Sequence, residues 1–427
     1  MKHIFNPKTI ALIGATDRKN SVGRGLAKNL SNKRVFFVNP NRNKVLGKKT
    51  YPKIGDIKTD IDLAVIAVPA KVVLSVVKQC AKKQVKAVII ISSGFAETGK
   101  IKLQQQVQLI CRLHNIDLIG PNCLGILRPP DLNASFAPHT PKPGNIGLIS
   151  QSGALLDSVI DRSVNENYGF SAIISYGNEA GLRLTEFLQF LNKDSKTKVI
   201  AIYLEGLKNG REFFEITKKI RKPIVVLKGG KTNTARKAVS SHTGALSGQA
   251  KIYSTAFKQA GLIEVETIEE LLDVSKALAW QPRCENNIGI ISNGGGVAIL
   301  TADYCEKLNI RLPKLRFKMP EKWSKNNPLD IIGDANTKDY GIAIRSMLKQ
   351  KNINGLIILQ TVQIMTDSFE NAKIIVKAEN KNKPIITAFL GGKNIEKAVK
   401  LLEENRIPNY SDPLRAVKTI KSLINYE

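Results

Sequence analysis

The sequence predicts an α/β chain built of mainly parallel sheets and divided into three domains. Short apolar runs alternate with amphipathic stretches, and the runs end in Gly, Pro, Ser or Asn. Runs that are apolar throughout belong to strands covered on both faces, as in parallel sheets joined by helices. At 427 residues, the chain is too long for one ordinary core, so two to three domains are expected. In sheets of this kind ligands gather beyond the carboxyl ends of the strands.

The first domain is expected over 1–128. Its strands are TIALIG, RVFFVNP, DLAVIAVP, VKAVIIISSG and IDLIGPN, with helical patterns such as GRGLAKNL and AKVVLSVVKQCAKK between them. The strand ends carry GAT, NPNR, VPAK, SSGFAETG and GPNCLG, the small hydrogen-bonding residues that a site needs. The proline-rich stretch ILRPPDLNASFAPHTPKPGN shows no periodicity and predicts a linker over 129–144. A second domain over 145–280 contains IGLISQSGALLDSVIDRS, FSAIISYGNEA, KVIAIYLEGL and PIVVLKGGK. WQPRCENN marks the next boundary, and 285–427 opens with IGIISNGGGVAILTADYCEKLNI. The openings of the last two domains share one form: a strand, a Ser/Gly/Asn-rich turn, then a helix.

Composition excludes several classes. The net charge is +29, but the basic residues are spread along the chain, with no Arg-rich arm and no basic–aromatic alternation. Solvated helix faces explain them better than a nucleic-acid groove, with phosphate ligands and an acidic partner subunit as secondary expectations. Cys80, Cys111, Cys123, Cys284 and Cys305 form no C-x-x-C pair and read as reduced thiols of a cytoplasmic protein. No apolar run reaches 18 residues, which argues against a membrane span. Pro7 and Lys8 interrupt the N-terminal apolar pattern, which does not read as a signal peptide.

Three constellations carry chemistry. In LIGATDRKNSVGRG a strand ends at Gly14 and a helix opens near Val22–Gly23. Backbone N–H groups at such a start attract phosphate. The spacing is not G-x-G-x-x-G, and no acid follows the second strand to hold a ribose. Both absences weigh against NAD. Arg42 in VNPNR suits a phosphate instead. The second constellation is the pair of turns Ser150–Ala154 and Ser292–Gly296. Each opens a helix with unpaired N–H groups. They are either plain first-strand turns or, if they face one another, a clamp for a dianion. The third is His242, set among small polar residues in SSHTGALSG. Its reading as a nucleophile needs a nearby anion site and an acid to orient the ring, and Glu205 at the end of IYLEG is the candidate. The alternative is an ordinary surface-loop histidine. Metal spacing and a G-x-S-x-G elbow are both missing.

Together, GATDRKNSVG, VNPNR, AVPAKVV, SSGFAETG, GPNCLGI, NASFAP, GLISQSGAL, YLEG, KGGKTNTARKAVSSHTGALSG, NGGGVAIL and NPLDIIGDA resemble the α subunit of ADP-forming acetyl-CoA synthetase. That family lies within the NDP-forming acyl-CoA synthetase and succinyl-CoA synthetase superfamily. The resemblance spans the chain, and SHTGAL with an upstream KGG is its most specific part. It implies a Rossmann-like CoA-binding domain followed by two flavodoxin-like ligase domains. It implies an acid–thiol ligase that interconverts acyl-CoA, ADP and phosphate with acid, CoA and ATP through an acyl phosphate, with acetate as the expected acid. His242 is then the phosphorylated residue and Glu205 the acid that steadies it.

The resemblance also implies that Ser150, Gln151, Ser152, Gly153 and Ala154, with Asn293, Gly294, Gly295 and Gly296, hold phosphate. Gly14, Ala15, Thr16, Ser21, Val22 and Gly23 match the first CoA loop. Arg42, Val68, Pro69, Ser93, Gly94, Phe95 and Glu97 match its other strand-end contacts. Gly181 and Leu182 stand where many members carry acidic residues. No ATP-grasp pattern is visible, so ADP/ATP and Mg²⁺ are expected on a separate ATP-grasp β subunit in a hetero-oligomer. The competing readings are a non-catalytic CoA-binding regulatory module and an NAD-dependent oxidoreductase.

Overall fold

The computed structural model describes residues 1–166, 168–235, 250–378 and 382–424. The chain forms two compact units, Met1–Glu266 and Thr267–Glu427.

The first unit holds two sheets. Strands β1 (Ile10–Ile13), β2 (Val35–Val38), β3 (Lys44–Val45), β4 (Lys48–Tyr51), β5 (Leu63–Ile66), β6 (Ala87–Ile90) and β7 (Asp117–Ile119) make a sheet of order β3-β4-β2-β1-β5-β6-β7. It is parallel except at the β3–β4 ribbon. Successive residues point to opposite faces, as the strand period requires. Ile10 and Leu12 join one core, while Ala11 and Ile13 join another.

The second sheet contains β8 (Gly125–Arg128), β9 (Leu132–Ser135), β10 (Pro143–Ser150), β11 (Phe170–Ser175), β12 (Val199–Leu204), β13 (Ile224–Lys228) and β14 (Ile263–Val265). Its order is β14-β13-β12-β10-β11-β8-β9. Here the expected linker at 129–144 needs correction. Pro129 and Pro130 lie in the connection of an antiparallel β8–β9 hairpin. All four residues of β9 are buried, and β8 pairs with β11. Prolines that suggested a linker mark a turn, because a hairpin connection needs no backbone donor where they sit.

One hydrophobic core runs between the two sheets, from Leu12, Val65 and Ile89 to Ile149, Ile174 and Ile200. The stretch 118–122 is also stitched to 178–182. Asn178 N donates to Pro121 O (2.9 Å), Ala180 N to Gly120 O (3.1 Å) and Leu182 N to Leu118 O (2.8 Å). The close approach explains Gly181. A Cβ there would lie 2.4 Å from Leu118 O, so a side chain has no room at this position.

The second unit contains β15 (Ile288–Ser292), β16 (Leu329–Asp330), β17 (Gly355–Thr361) and β18 (Ile385–Leu390), in the order β16-β15-β17-β18 and all parallel. The helix Ile268–Trp280 packs as part of this compact unit. Its polar residues explain why. Asp273 takes two hydrogen bonds from Arg415, at 2.7 and 2.9 Å, and Lys276 meets Glu403 at 2.7 Å. Apolar periodicity alone assigns a helix to neither side of a boundary.

Among the described residues no helix is long and apolar enough to cross a membrane.

Candidate active site

In all three sheets the strand that precedes a candidate loop is flanked by the next two strands of its own motif. Strand β1 lies between β2 and β5, β10 between β11 and β12, and β15 between β16 and β17. At such a switch point the chain departs to opposite sides and leaves a crevice beyond the strand end. Gly14, Gln151 and Asn293 each follow one of these strands directly.

The first loop is built by close approach. Gly14 has φ +94, and a Cβ on Gly23 would lie 2.3 Å from Gly14 O. Ala15 is fully buried. Thr16 Oγ1 accepts from Arg18 N (3.2 Å), and Ser21 Oγ donates to Arg18 O (2.7 Å). Arg42 reaches back across the loop to Asp17 at 2.5 Å. The helix Val22–Asn29 therefore starts against the end of β1, with its first N–H groups held open.

Beyond β6, Glu97 organises the SSGFAE turn. Its carboxylate accepts from Gly94 N (2.5 Å), Phe95 N (3.1 Å) and Asn178 Nδ2 (2.5 Å). Burial would raise its pKa, but the hydrogen bonds from Asn178, Gly94 and Phe95 outweigh it and hold the carboxyl below its ordinary value. The Phe95 side chain is fully buried in the core. Phe95 and Glu97 thus shape this loop from within.

The two phosphate-candidate turns share a construction that the sequence reading only suggested. Ser150 Oγ donates to Ser152 O (2.8 Å) and accepts from Ser152 N (3.0 Å). In the second unit Ser292 Oγ donates to Gly294 O (2.9 Å) and accepts from Gly294 N (3.1 Å). The next residue pins the neighbouring strand in each case. Gln151 Oε1 accepts from Glu205 N and from Gly206 N (3.0 Å), and Gln151 Nε2 donates to Gly206 O (2.9 Å). Asn293 Oδ1 accepts from Thr361 N (2.8 Å), and its Nδ2 donates to Thr361 O (3.1 Å). Ser150, Gln151 and Asn293 thus commit their side chains to the turns. What remains available for an anion is the backbone N–H groups that open the helices Gly153–Asn165 and Gly295–Lys307. Space at the second turn differs along its length. A Cβ at Gly295 would lie 3.0 Å from Asp330 Oδ2, whereas Gly296 faces open space.

Glu205, at the end of β12, is 7% exposed. Its backbone is held by Gln151, and its carbonyl accepts from Lys228 Nζ at 2.7 Å. Tyr203, pushed up to about 12 by burial and by the Glu205 carboxylate, hydrogen-bonds that carboxylate. Gly229 permits this packing, since a Cβ there would lie 2.8 Å from Tyr203 Oη. His242 falls within 236–249, outside the described residues.

Lys228 is a residue the sequence reading passed over. It ends the apolar strand β13, is 3% exposed, and stacks over the Tyr253 ring at 4.6 Å. The sequence signal was a lysine closing an otherwise apolar strand. Burial lowers its pKa to about 8 despite the opposing pull of Glu205. Below pH 8 both folded and unfolded chains carry this proton, and folding bears the burial penalty. Between about 8 and the ordinary 10.5 the unfolded chain binds more protons, so this group's contribution to stability rises with pH. Urea midpoints at pH 7.5 and 9.5 are expected to diverge between the parent and Lys228→Met, with the parent gaining at the higher pH. A difference independent of pH would rule this out.

One cavity of about 560 Å³ gathers residues from both sheets of the first unit. Val22, Val68, Pro69 and Ser93 line one part, and Gln151, Ser152, Gly153 and Ala154 another. Gly14, Thr16, Ser21 and Gly23 stand behind Val22 in the first loop. Arg42, Gly94, Phe95, Glu97 and Glu205 do not line this cavity. Among the described residues no group of three or more His, Cys, Asp or Glu could hold a metal ion.

Three families match the chain in tandem: a CoA binding domain over 8–129, a succinyl-CoA ligase like flavodoxin domain over 143–278 and a Ligase-CoA domain over 288–421. The acetate–CoA ligase [ADP-forming] I subunit alpha of Pyrococcus furiosus is 37% identical, over 100% of this chain and 97% of its own length. The chain belongs to the ADP-forming acetate–CoA ligase family. Within that family, the Methanocaldococcus jannaschii acetate–CoA ligase [ADP-forming] is 41% identical over 100% of this chain. The chain spans only 63% of that relative's length. A solved structure of the Ca. Korarchaeum cryptofilum dinucleotide forming acetyl-coenzyme A synthetase 1, in complex with phosphate and ADP, superposes with a TM-score of 0.93. It is 35% identical and covers 100% of this chain and 96% of its own. The α/β fold expected from the sequence, a CoA-binding domain followed by two ligase domains, is that of this family.

Proposed function

We propose that this chain is the CoA-binding, phosphoryl-carrying part of an ADP-forming acyl-CoA synthetase, with acetate as its acid. One observation carries the reading: the CoA-candidate residues Val22, Val68, Pro69 and Ser93 share a single cavity with the turn Gln151–Ala154. A thioester seated there would bring its reacting carbon to a helix N-terminus suited to phosphate.

A phosphate oxygen attacks the thioester carbonyl, the C–S bond breaks, and the CoA thiolate takes a proton. The product is acyl phosphate. A neutral His242 nitrogen then attacks phosphorus, the bond from phosphorus to the acyl oxygen breaks, and the acid leaves as carboxylate. Glu205 orients the imidazole and offsets the charge that develops on it. The backbone N–H groups of Gln151–Ala154 stabilise the phosphoryl oxygens without a proton to lose. The phosphohistidine passes its group to ADP. ADP and Mg²⁺ belong to a separate ATP-grasp partner in a hetero-oligomer. Support for a separate partner comes from the subunit-alpha name of the P. furiosus relative, most of whose length this chain spans. Free cysteines at all five positions favour a cytoplasmic setting.

CoA at about a hundred times its Kd is expected to stabilise the chain by about 2.7 kcal/mol, seen as a rise in Tm, while NAD leaves Tm unchanged. Gly23→Ala forces the first loop apart at Gly14 O and is expected to lose most of the CoA shift. A shift with NAD alone would restore the oxidoreductase reading. With acetyl-CoA and inorganic phosphate the chain is expected to acquire an acid-labile phosphoryl group. Binding of CoA without any such label would leave a CoA-binding regulatory module.

A further inference from the structure

The wall of the 560 Å³ cavity contains several polar side chains, and most are already engaged. Ser92 Oγ donates to Val68 O at 2.5 Å. Asn122 Nδ2 donates to Asn178 Oδ1 at 3.3 Å. Gln151 is committed to the Glu205–Gly206 backbone, and Ser152 Oγ accepts from Leu155 N at 3.3 Å. Ser93 and Asp157 make no such bond among the described residues, and of the two only Asp157 carries a carboxyl. It lines the cavity, yet its Oδ1 is sealed from solvent with no hydrogen-bond partner among the described residues.

Asp157 lies three and four residues beyond Ala154 and Gly153 on the helix Gly153–Asn165, and residues so spaced share one helix face. All three line the same cavity. The Asp157 Oδ1 is buried without a partner, at a cost, while the residue as a whole is half-buried and lines the cavity, which leaves the rest of the carboxyl open to a ligand. Burial raises the Asp157 pKa above the ordinary carboxylate value.

We propose that Asp157 is a specificity residue of this cleft: its carboxyl hydrogen-bonds an amide of the thiol arm of CoA on the arm's way to the phosphate turn. An amide carries both an N–H donor and a C=O acceptor, so it matches this carboxyl in either protonation state. The inference rests on the reading of the cavity as the CoA cleft. It goes beyond that reading by assigning recognition of the arm to the second sheet's helix instead of to the 8–129 region alone.

The test uses calorimetric titration with two probes, CoA and adenosine 3′,5′-bisphosphate, which lacks the arm. Asp157→Leu is expected to weaken CoA about tenfold, the loss of one buried hydrogen bond, and to leave the bisphosphate unchanged. Asp157→Asn keeps a donor and an acceptor and is expected to stay within about threefold of the parent for both probes. If Asp157→Leu binds CoA as the parent does, the assignment fails. If both probes weaken by the same factor, the residue supports the fold and reads no arm, and the assignment fails again. If the parent itself takes up no CoA, the reading of the cavity falls first and this inference with it.

Discussion

His242→Ala is expected to abolish phosphoryl labelling from acetyl-CoA and phosphate and to lower turnover on the order of a thousandfold or more. In the proposed mechanism the imidazole supplies the bond that carries the phosphoryl group between acid and nucleotide, and a hydroxyl cannot replace a P–N bond. Ser241 and Thr243 adjoin it in sequence, but phosphorylated hydroxyls are esters that resist transfer. CoA binding should survive, because the described residues that line the proposed CoA cavity are unchanged in the variant. The measurement is phosphate incorporation by intact-mass analysis at neutral pH and after brief acid treatment, alongside the CoA-induced Tm shift. Label as strong in the variant as in the parent would remove the phosphohistidine from the mechanism. Retained CoA binding with lost label would separate the role of His242 from any effect on the fold.

Lys276→Met is expected to carry the largest stability loss, about 3–5 kcal/mol. Lys276 is 2% exposed and Glu403 8%, and they meet at 2.7 Å. The ammonium also lies 5.0 Å from the centre of the Tyr410 ring and 5.5 Å from that of Trp280. Tyr410 donates to Asp273 O at 3.0 Å and packs under Arg415 from another side. Removing the ammonium takes the 2.7 Å counter-charge away from a buried carboxylate in this cluster. Replacing both partners with apolar residues should recover most of the loss, because the penalty comes from the charge left behind more than from the pair itself. Urea denaturation of the parent, Lys276→Met and Lys276→Met/Glu403→Leu checks this. If the double variant is no more stable than the single one, packing and not charge accounts for the loss.

The apolar runs of the sequence read through to the strands with little error, because a strand buried on both faces leaves a continuous signature. The turns after β1, β10 and β15 were equally legible, since glycine and serine clusters at strand ends mark where the chain must turn and open its N–H groups. Roles within those turns were not legible. Ser150 and Asn293 looked like phosphate ligands, but their side chains are spent on holding the turn. Phe95 looked like a contact residue and is a core residue. Asp157 looked like any acid on an amphipathic helix, and Lys228 like a charge at a strand end.

Local composition and periodicity were therefore enough to establish the α/β class, and the motifs GPNCLG, SQSGAL and SHTGAL carried the resemblance to the family. Tertiary packing alone decided that the proline-rich stretch after β8 is a hairpin and that Gly181 admits no side chain. It alone decided that the Glu97, Gln151 and Asn293 side chains are hydrogen-bonded to neighbouring loops and strands and that Asp157 lines a cleft with its Oδ1 unpartnered among the described residues. The physical reason is the same in each case. A hydrogen-bonding side chain has the same composition whether its partner is protein, water or ligand, and the partner comes from residues distant in sequence. Only the folded chain shows which groups have already been satisfied and which are left for a substrate.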